Sequence, residues 1–212
     1  MKIAVVTFDG FNEIDSFVAA HILNRVQRDG WKAEITAPAA TVTSMNGVQV
    51  AAQRPLEFTH EADAVLFGSG RLTAQVIEDA SLISRITVDP RRQLIASQCS
   101  GALILARLGL LGGIPVCTDL KTRPLAQAAG LRVLNQPFYA RENLASAGGC
   151  LSGQYLATWM IWRSLGREAA IDALSYVVPV GQEEEYIARA LSIVSEFMPE
   201  ERVAGAAATS TD

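Results

Sequence analysis

Histidine is scarce in this chain: His21 and His60 are the two present among 212 residues. With so little imidazole, a Cys-His-acid or Ser-His-acid triad has only these positions from which to draw its base. Neither suits. His60 precedes the apolar run 62–67, at the sheet edge opposite that strand's carboxyl end, and His21 lies inside the first helix, away from its start. Both read as structural or exposed. Basic clusters are missing too. Arg91-Arg92 is the only basic doublet and the net charge is −4, so the electrostatic term that dominates nucleic-acid binding is absent. Long apolar runs are also lacking: the best candidate, after Cys99, is interrupted by Arg107, so no membrane span is expected. Cysteine is limited to Cys99, Cys117 and Cys150. An odd count behind "MKIAVVTFDG", which reads as a first strand rather than a secretory leader, points to reduced thiols in the cytoplasm.

What is present describes a compact globular chain. Half of it is hydrophobic, 19% is charged, and mean hydropathy is +0.21. Apolar runs alternate with helical patterns: "KIAVVTF", then a helix over "NEIDSFVAAHILNRVQRDG" closed by Gly30, then "WKAEITA". "TVTSMNGVQV" carries a hairpin signal at Asn46-Gly47. "ADAVLFGSG" is a buried strand, and "RLTAQVIED" starts a helix. Leu94–Ala96 ends another strand, before a helix that stops at Gly109 or Gly112-Gly113. After it come a short extended "IPVCT", a helix around "RPLAQAAG", a hairpin in "RVLNQPFYARENLASAGG" and a long helix opened by Cys150. Two more helices fill "REAAIDALSYV" and "QEEEYIARALSIVSEFM". Such alternation predicts an α/β fold, a mostly parallel central sheet with helices on both faces. The single domain spans 1–198, and 199–212 reads as an unpatterned tail.

Cys99 stands at the corner between strand and helix, at the carboxyl edge where open α/β sheets bind ligands. The corner is similar to a G-x-S-x-G nucleophile elbow, with Ser97 for the first glycine, Cys99 for the serine and Gly101 retained. A helix start stabilises a thiolate, and the N–H of Ser100 points where an oxyanion would form. A buried free cysteine is the ordinary alternative. Cys117, in an apolar stretch, reads as packing. Cys150 opens a helix after Gly148-Gly149, which makes it the rival reactive thiol, with packing as its everyday role.

The loop "DGFNEIDSF" follows the first strand, which in a doubly wound sheet can neighbour the elbow. Asp9, Asn12, Glu13 and Asp15 read first as helix caps and charges. The sharper reading turns one carboxyl toward Cys99, where burial and like charge would keep it protonated beside the sulfur. Gly68 and Gly70 form G-x-G after a strand, but Thr73 replaces the third glycine of a dinucleotide fingerprint. An N–H of Gly70 approaching substrate fits as well. No His/Cys/Asp/Glu spacing suggests a metal, and no cofactor is expected.

"FDGFNEIDSF", "LFGSGRLTAQ", "ASQCSGALILARLGLLGG" and "ASAGGCLSGQYLAT" together resemble the ThiJ/PfpI superfamily, over residues 1 to about 180. Within it the chain is similar to isonitrile hydratases, whose elbow reads serine-x-cysteine-threonine-glycine. The resemblance implies a flavodoxin-like three-layer sandwich, usually a homodimer. It also implies Cys99 as nucleophile, Asp15 as its acid, and the N–H groups of Gly70 and Ser100 as oxyanion donors. The implied reaction adds Cys99 to an isonitrile, gives a thioimidate, and releases an N-substituted formamide. Many relatives carry a histidine where this chain has Thr118-Asp119, which counts against peptidase, amidase and glyoxalase readings and puts both residues at the substrate site. Ser100 replaces threonine, and Ser16 with "FVAA" replaces the glycine-proline that often follows the acid. The other reading is a thiol-based oxidative-stress sensor without turnover. Nothing after residue 180 is similar to a basic helix-turn-helix, which weakens a transcription-factor reading.

Overall fold

The structure is a computed structural model that describes residues 1–198. The tail expected over 199–212 lies outside the described residues. Strands and helices alternate in the order β1 (Lys2–Val6), α1 (Glu13–Leu23), β2 (Lys32–Ala37), β3 (Thr41–Thr43), β4 (Gln49–Ala51), β5 (Arg54–Pro55) and β6 (Ala64–Phe67). They continue with α2 (Thr73–Glu78), α3 (Ala80–Ile83), β7 (Leu94–Gln98), α4 (Gly101–Arg107) and α5 (Arg123–Ala128). The chain closes with β8 (Phe138–Arg141), β9 (Leu144–Ala147), α6 (Gly153–Leu165), α7 (Arg167–Ser175) and α8 (Glu183–Ser195).

Seven strands form one sheet in the order β5-β2-β1-β6-β7-β9-β8. All pairs are parallel except β8 with β9. The period of two along β1 explains the three layers. Ile3 and Val5 face a core built with α1, α6, α7 and α8, around Leu156, Trp159 and Leu174. Ala4 and Val6 face the other core, with α2, α3 and α4, around Phe67, Ile104 and Leu105. A strand covered on both sides has no polar face to spare, hence the unbroken apolar runs. The architecture is the flavodoxin-like α/β sandwich expected.

Four details depart from the sequence reading. First, β6 lies between β1 and β7, so the first strand does not neighbour the elbow strand. The chain reverses direction across the sheet between β1 and β6, and that switch point opens a crevice at their carboxyl ends. Second, α1 stops at Leu23 rather than running to Gly30. Asn24 caps it and binds both the N–H and the carbonyl of Ala33 through its side chain, each at 2.9 Å, so the chain turns early toward β2. Third, "IPVCT" forms only an isolated bridge, Val116 with Val133. Fourth, short β5 and α3 carry no period long enough to read. The hairpin at Asn46-Gly47 forms as β3–β4, apart from the main sheet.

Candidate functional site

The four polar residues of the first loop part company in space. Asp9 accepts the N–H of Thr43 at 2.7 Å. Asn12 caps α1, its Oδ1 accepting from the Ile14 N–H at 3.2 Å. Glu13 accepts from Ser44 and Asn46 and so fastens the β3–β4 hairpin. Asp15 turns inward, where it is 1% exposed. The loop that carries it is laced to the turn after β6: Asn12 N–H donates to Ser69 O (2.8 Å) and Arg71 N–H to Gly10 O (3.0 Å). Gly70 is required here, since a Cβ on it would fall 2.7 Å from Phe11 Cα. Ser69, between the two glycines, donates its hydroxyl to Asp15 Oδ2.

Cys99 occupies the corner after β7 with φ +47, a left-handed conformation uncommon outside glycine. The strained turn is clamped from two sides. Its N–H donates to Ala147 O (2.8 Å), and Thr118 Oγ1 donates to its carbonyl (2.8 Å). Gly101 lets α4 start tight against β6, because a Cβ there would sit 2.6 Å from Phe67 O.

One carboxylate oxygen of Asp15, Cys99 Sγ and Cys150 Sγ all lie within 4.8 Å of one another. Asp15 Oδ1 is buried with no hydrogen-bond partner among the described residues, on a carboxyl that lies beside the two thiols. Burial pushes the Cys99 thiol well up from its ordinary value, and the charges of Asp15 and Asp119 push it further. The Gly149 N–H favours the thiolate but is outweighed, and Gln98 Nε2 also donates to the sulfur, at 3.4 Å. Burial and the two carboxylates therefore oppose the thiolate that a helix start favours. Cys150 is raised too, by burial and then by Asp15, while Asn12 Nδ2, donating to its sulfur at 3.3 Å, opposes the shift.

Both thiols open on a pocket of about 800 Å³. Leu103, Leu120, Leu125 and Met45 give it apolar walls, and Arg71, Lys121 and Arg123 also line it. Gly70, Ser100, Thr118 and Asp119 also border this pocket, but their polar groups are partly engaged. The Gly70 N–H donates to the hydroxyls of Thr73 (3.1 Å) and Ser100 (3.3 Å), so it is not a free oxyanion donor in this state. The Ser100 N–H has no partner among the described residues. Thr118 spends its hydroxyl on the elbow, and Asp119 caps the turn before α5 by accepting the N–H groups of Lys121 and Thr122, each at 2.9 Å. Neither His21 nor His60 lines the pocket.

Sequence spacing suggested no metal site, yet folding gathers three donors from separate loops. Two thiols and a carboxylate suit a borderline-soft divalent cation. Ser69 was not singled out in the sequence, and Asn12 was read there only as a helix cap. The signal for Ser69 was its place between glycines that hold two loops together, whereas Asn12 looked like a helix cap, which it also is.

The sequence matches the DJ-1/PfpI family over residues 1–161. The chain belongs to this family. No functionally curated protein matches it. Among solved structures, this DJ-1/PfpI chain is similar to a THiJ/PfpI family protein from Pseudomonas syringae, at 20% identity and TM-score 0.72, covering 92% of this chain and 87% of that one. It is also similar to a mutant of the DJ-1 superfamily protein STM1931 from Salmonella typhimurium, at 24% identity and TM-score 0.70, covering 84% and 98%. Schizosaccharomyces pombe DJ-1 matches at 17% identity and TM-score 0.62, covering 94% and 100%. At these identities the likeness speaks for the DJ-1/PfpI fold alone.

Proposed function

We propose that this protein is a cysteine-dependent hydratase of a small, largely apolar substrate, with isonitrile hydration as the reaction its site suits best. The observation that carries the reading is the buried Asp15 carboxyl beside Cys99 at the floor of the pocket, with no histidine lining it. An isonitrile needs a nucleophile and a proton delivered to the same carbon. Cys99 and Asp15 supply the two from one place.

In this mechanism the Cys99 proton passes to Asp15 as the sulfur attacks the terminal carbon, and Asp15 returns it to that carbon. A thioimidate results. Water then adds to the thioimidate carbon, the nitrogen takes a proton, and the C–S bond breaks to release the N-substituted formamide and the free thiol. The engaged Gly70 N–H supports this choice over amide or ester hydrolysis, where a tetrahedral oxyanion would call for free donors. The apolar walls around Leu103 and Leu125 fit the substituent on nitrogen. Formamide release measured with an alkyl isonitrile, in wild type, Cys99→Ala and Asp15→Asn, tests the proposal. Turnover in the wild type that vanishes in the two variants is the expected result. Turnover retained in either variant rejects the mechanism.

A further inference from the structure

The mechanism leaves Cys150 unused, although its sulfur lies within 4.8 Å of both Cys99 Sγ and an Asp15 carboxylate oxygen. The topology explains the approach. Gln98 and Ala147 are register partners on the adjacent parallel strands β7 and β9, so the chain leaving each strand reaches the same spot. Gln98 Nε2 then ties the two exits together by donating to Gly149 O at 2.8 Å. Cys99 and Cys150 line the same pocket, so a small solute entering it reaches both.

A disulfide needs the sulfurs about 2.05 Å apart. The elbow is clamped through its N–H and carbonyl, so closure falls to the other side. Cys150 heads a single 3-10 turn, Cys150–Ser152, directly after Gly149 at φ +91. Rotation about its Cα–Cβ bond moves one sulfur without disturbing the sheet. Cys117, the remaining thiol, is fully buried and does not line the pocket.

We propose that Cys99 and Cys150 are a redox pair that closes into an intramolecular disulfide when a hydroperoxide enters the pocket. One sulfur attacks the peroxide, the O–O bond breaks, and a sulfenic acid forms with release of water or an alcohol. The second sulfur attacks the first, the S–O bond breaks, and hydroxide leaves as water with the proton of the attacking thiol. The two thiols lose two electrons and the peroxide gains them. The neighbouring thiol thus intercepts the sulfenic acid before further oxygen is added. That the disulfide also stops turnover rests on the hydratase reading; the disulfide itself does not.

The test uses the full chain, reduced and freed of metal with a chelator. It is treated with a small excess of hydrogen peroxide, alkylated, weighed intact, and digested without reductant. Wild type and Cys117→Ser are expected to lose two hydrogens, yield a linked Cys99–Cys150 peptide, and recover both thiols with dithiothreitol. Cys150→Ser is expected to lose the linked peptide and accumulate oxygen on Cys99. Wild type that gains two oxygens at Cys99 while Cys150 remains open to alkylation overturns the proposal, as does a linked peptide containing Cys117. Mass is the readout, so a failure of isonitrile hydration does not alter what this experiment says about the disulfide.

Discussion

Cys99 and Cys117 are both buried, 2% and 0% exposed, yet their surroundings differ in kind. Burial raises both thiols, Cys117 to about 12. Around Cys117 nothing uses that proton: Ser146 and the charge of Arg123 merely soften the shift, and its backbone N–H is tied to Ser146 Oγ at 2.9 Å. Cys99 has a carboxylate beside it and a pocket in front of it. Burial by itself makes an inert thiol. A proton acceptor within 4.8 Å and a route for substrate are what separate the two sites.

The sharpest way to break this contrast is to remove each sulfur. Cys99→Ala is expected to lower isonitrile kcat/KM by about 10³-fold or more, whereas Cys117→Ala changes it little. Comparable losses in both would mean that the pocket thiol is not special. Next in size is Asp15→Asn, expected to cost about 10²–10⁴-fold in kcat through the lost proton transfer, with the fold intact by circular dichroism. Gly101→Ala asks whether the elbow depends on close approach: the added carbon meets the Phe67 and Gly68 carbonyls, and a loss of about 1–3 kcal/mol in urea unfolding is expected. An unchanged midpoint would show that α4 has room to move.

The smallest effect concerns pH. Cys117 has a folded-state value near 12 against 9.0 for an ordinary thiol. A raised thiol favours the folded state while protonated, so this stabilisation is complete below pH 9.0 and is lost as pH rises toward about 12. Thermal midpoints followed through that range should fall less steeply in Cys117→Ala than in the wild type. Parallel slopes would contradict the assignment.

Much of the fold was legible because both sheet faces are covered. Runs such as Ile3–Val6 and Ala64–Phe67 have no polar position to obscure them, and Gly109 and Gly130, both with positive φ, mark helix ends openly. The end of α1 was not legible, since Asn24 stops it by reaching Ala33, a contact with no local signature. Asp15 and Cys99 could be paired in advance through resemblance. Their distance across β6 could not, for strand order is a property of the whole sheet. Cys150 shows the limit most clearly: as a helix opener it could be read, but its closeness to Cys99 depends on β7 and β9 lying side by side. The same holds for Gly70, whose N–H is engaged by hydroxyls from two different helix starts.

Electrostatic coupling between Asp15 and Cys99 underlies the proposed chemistry, and one titration tests it directly. In a Cys117→Ser, Cys150→Ser background, the alkylation rate of the remaining thiol is followed against pH, with and without Asp15→Asn. Removing the carboxylate removes a negative charge beside the sulfur, so the ionisation midpoint should move to lower pH in the asparagine variant. Superimposable curves would mean that the two groups do not sense each other, and the proposed chemistry would have no basis.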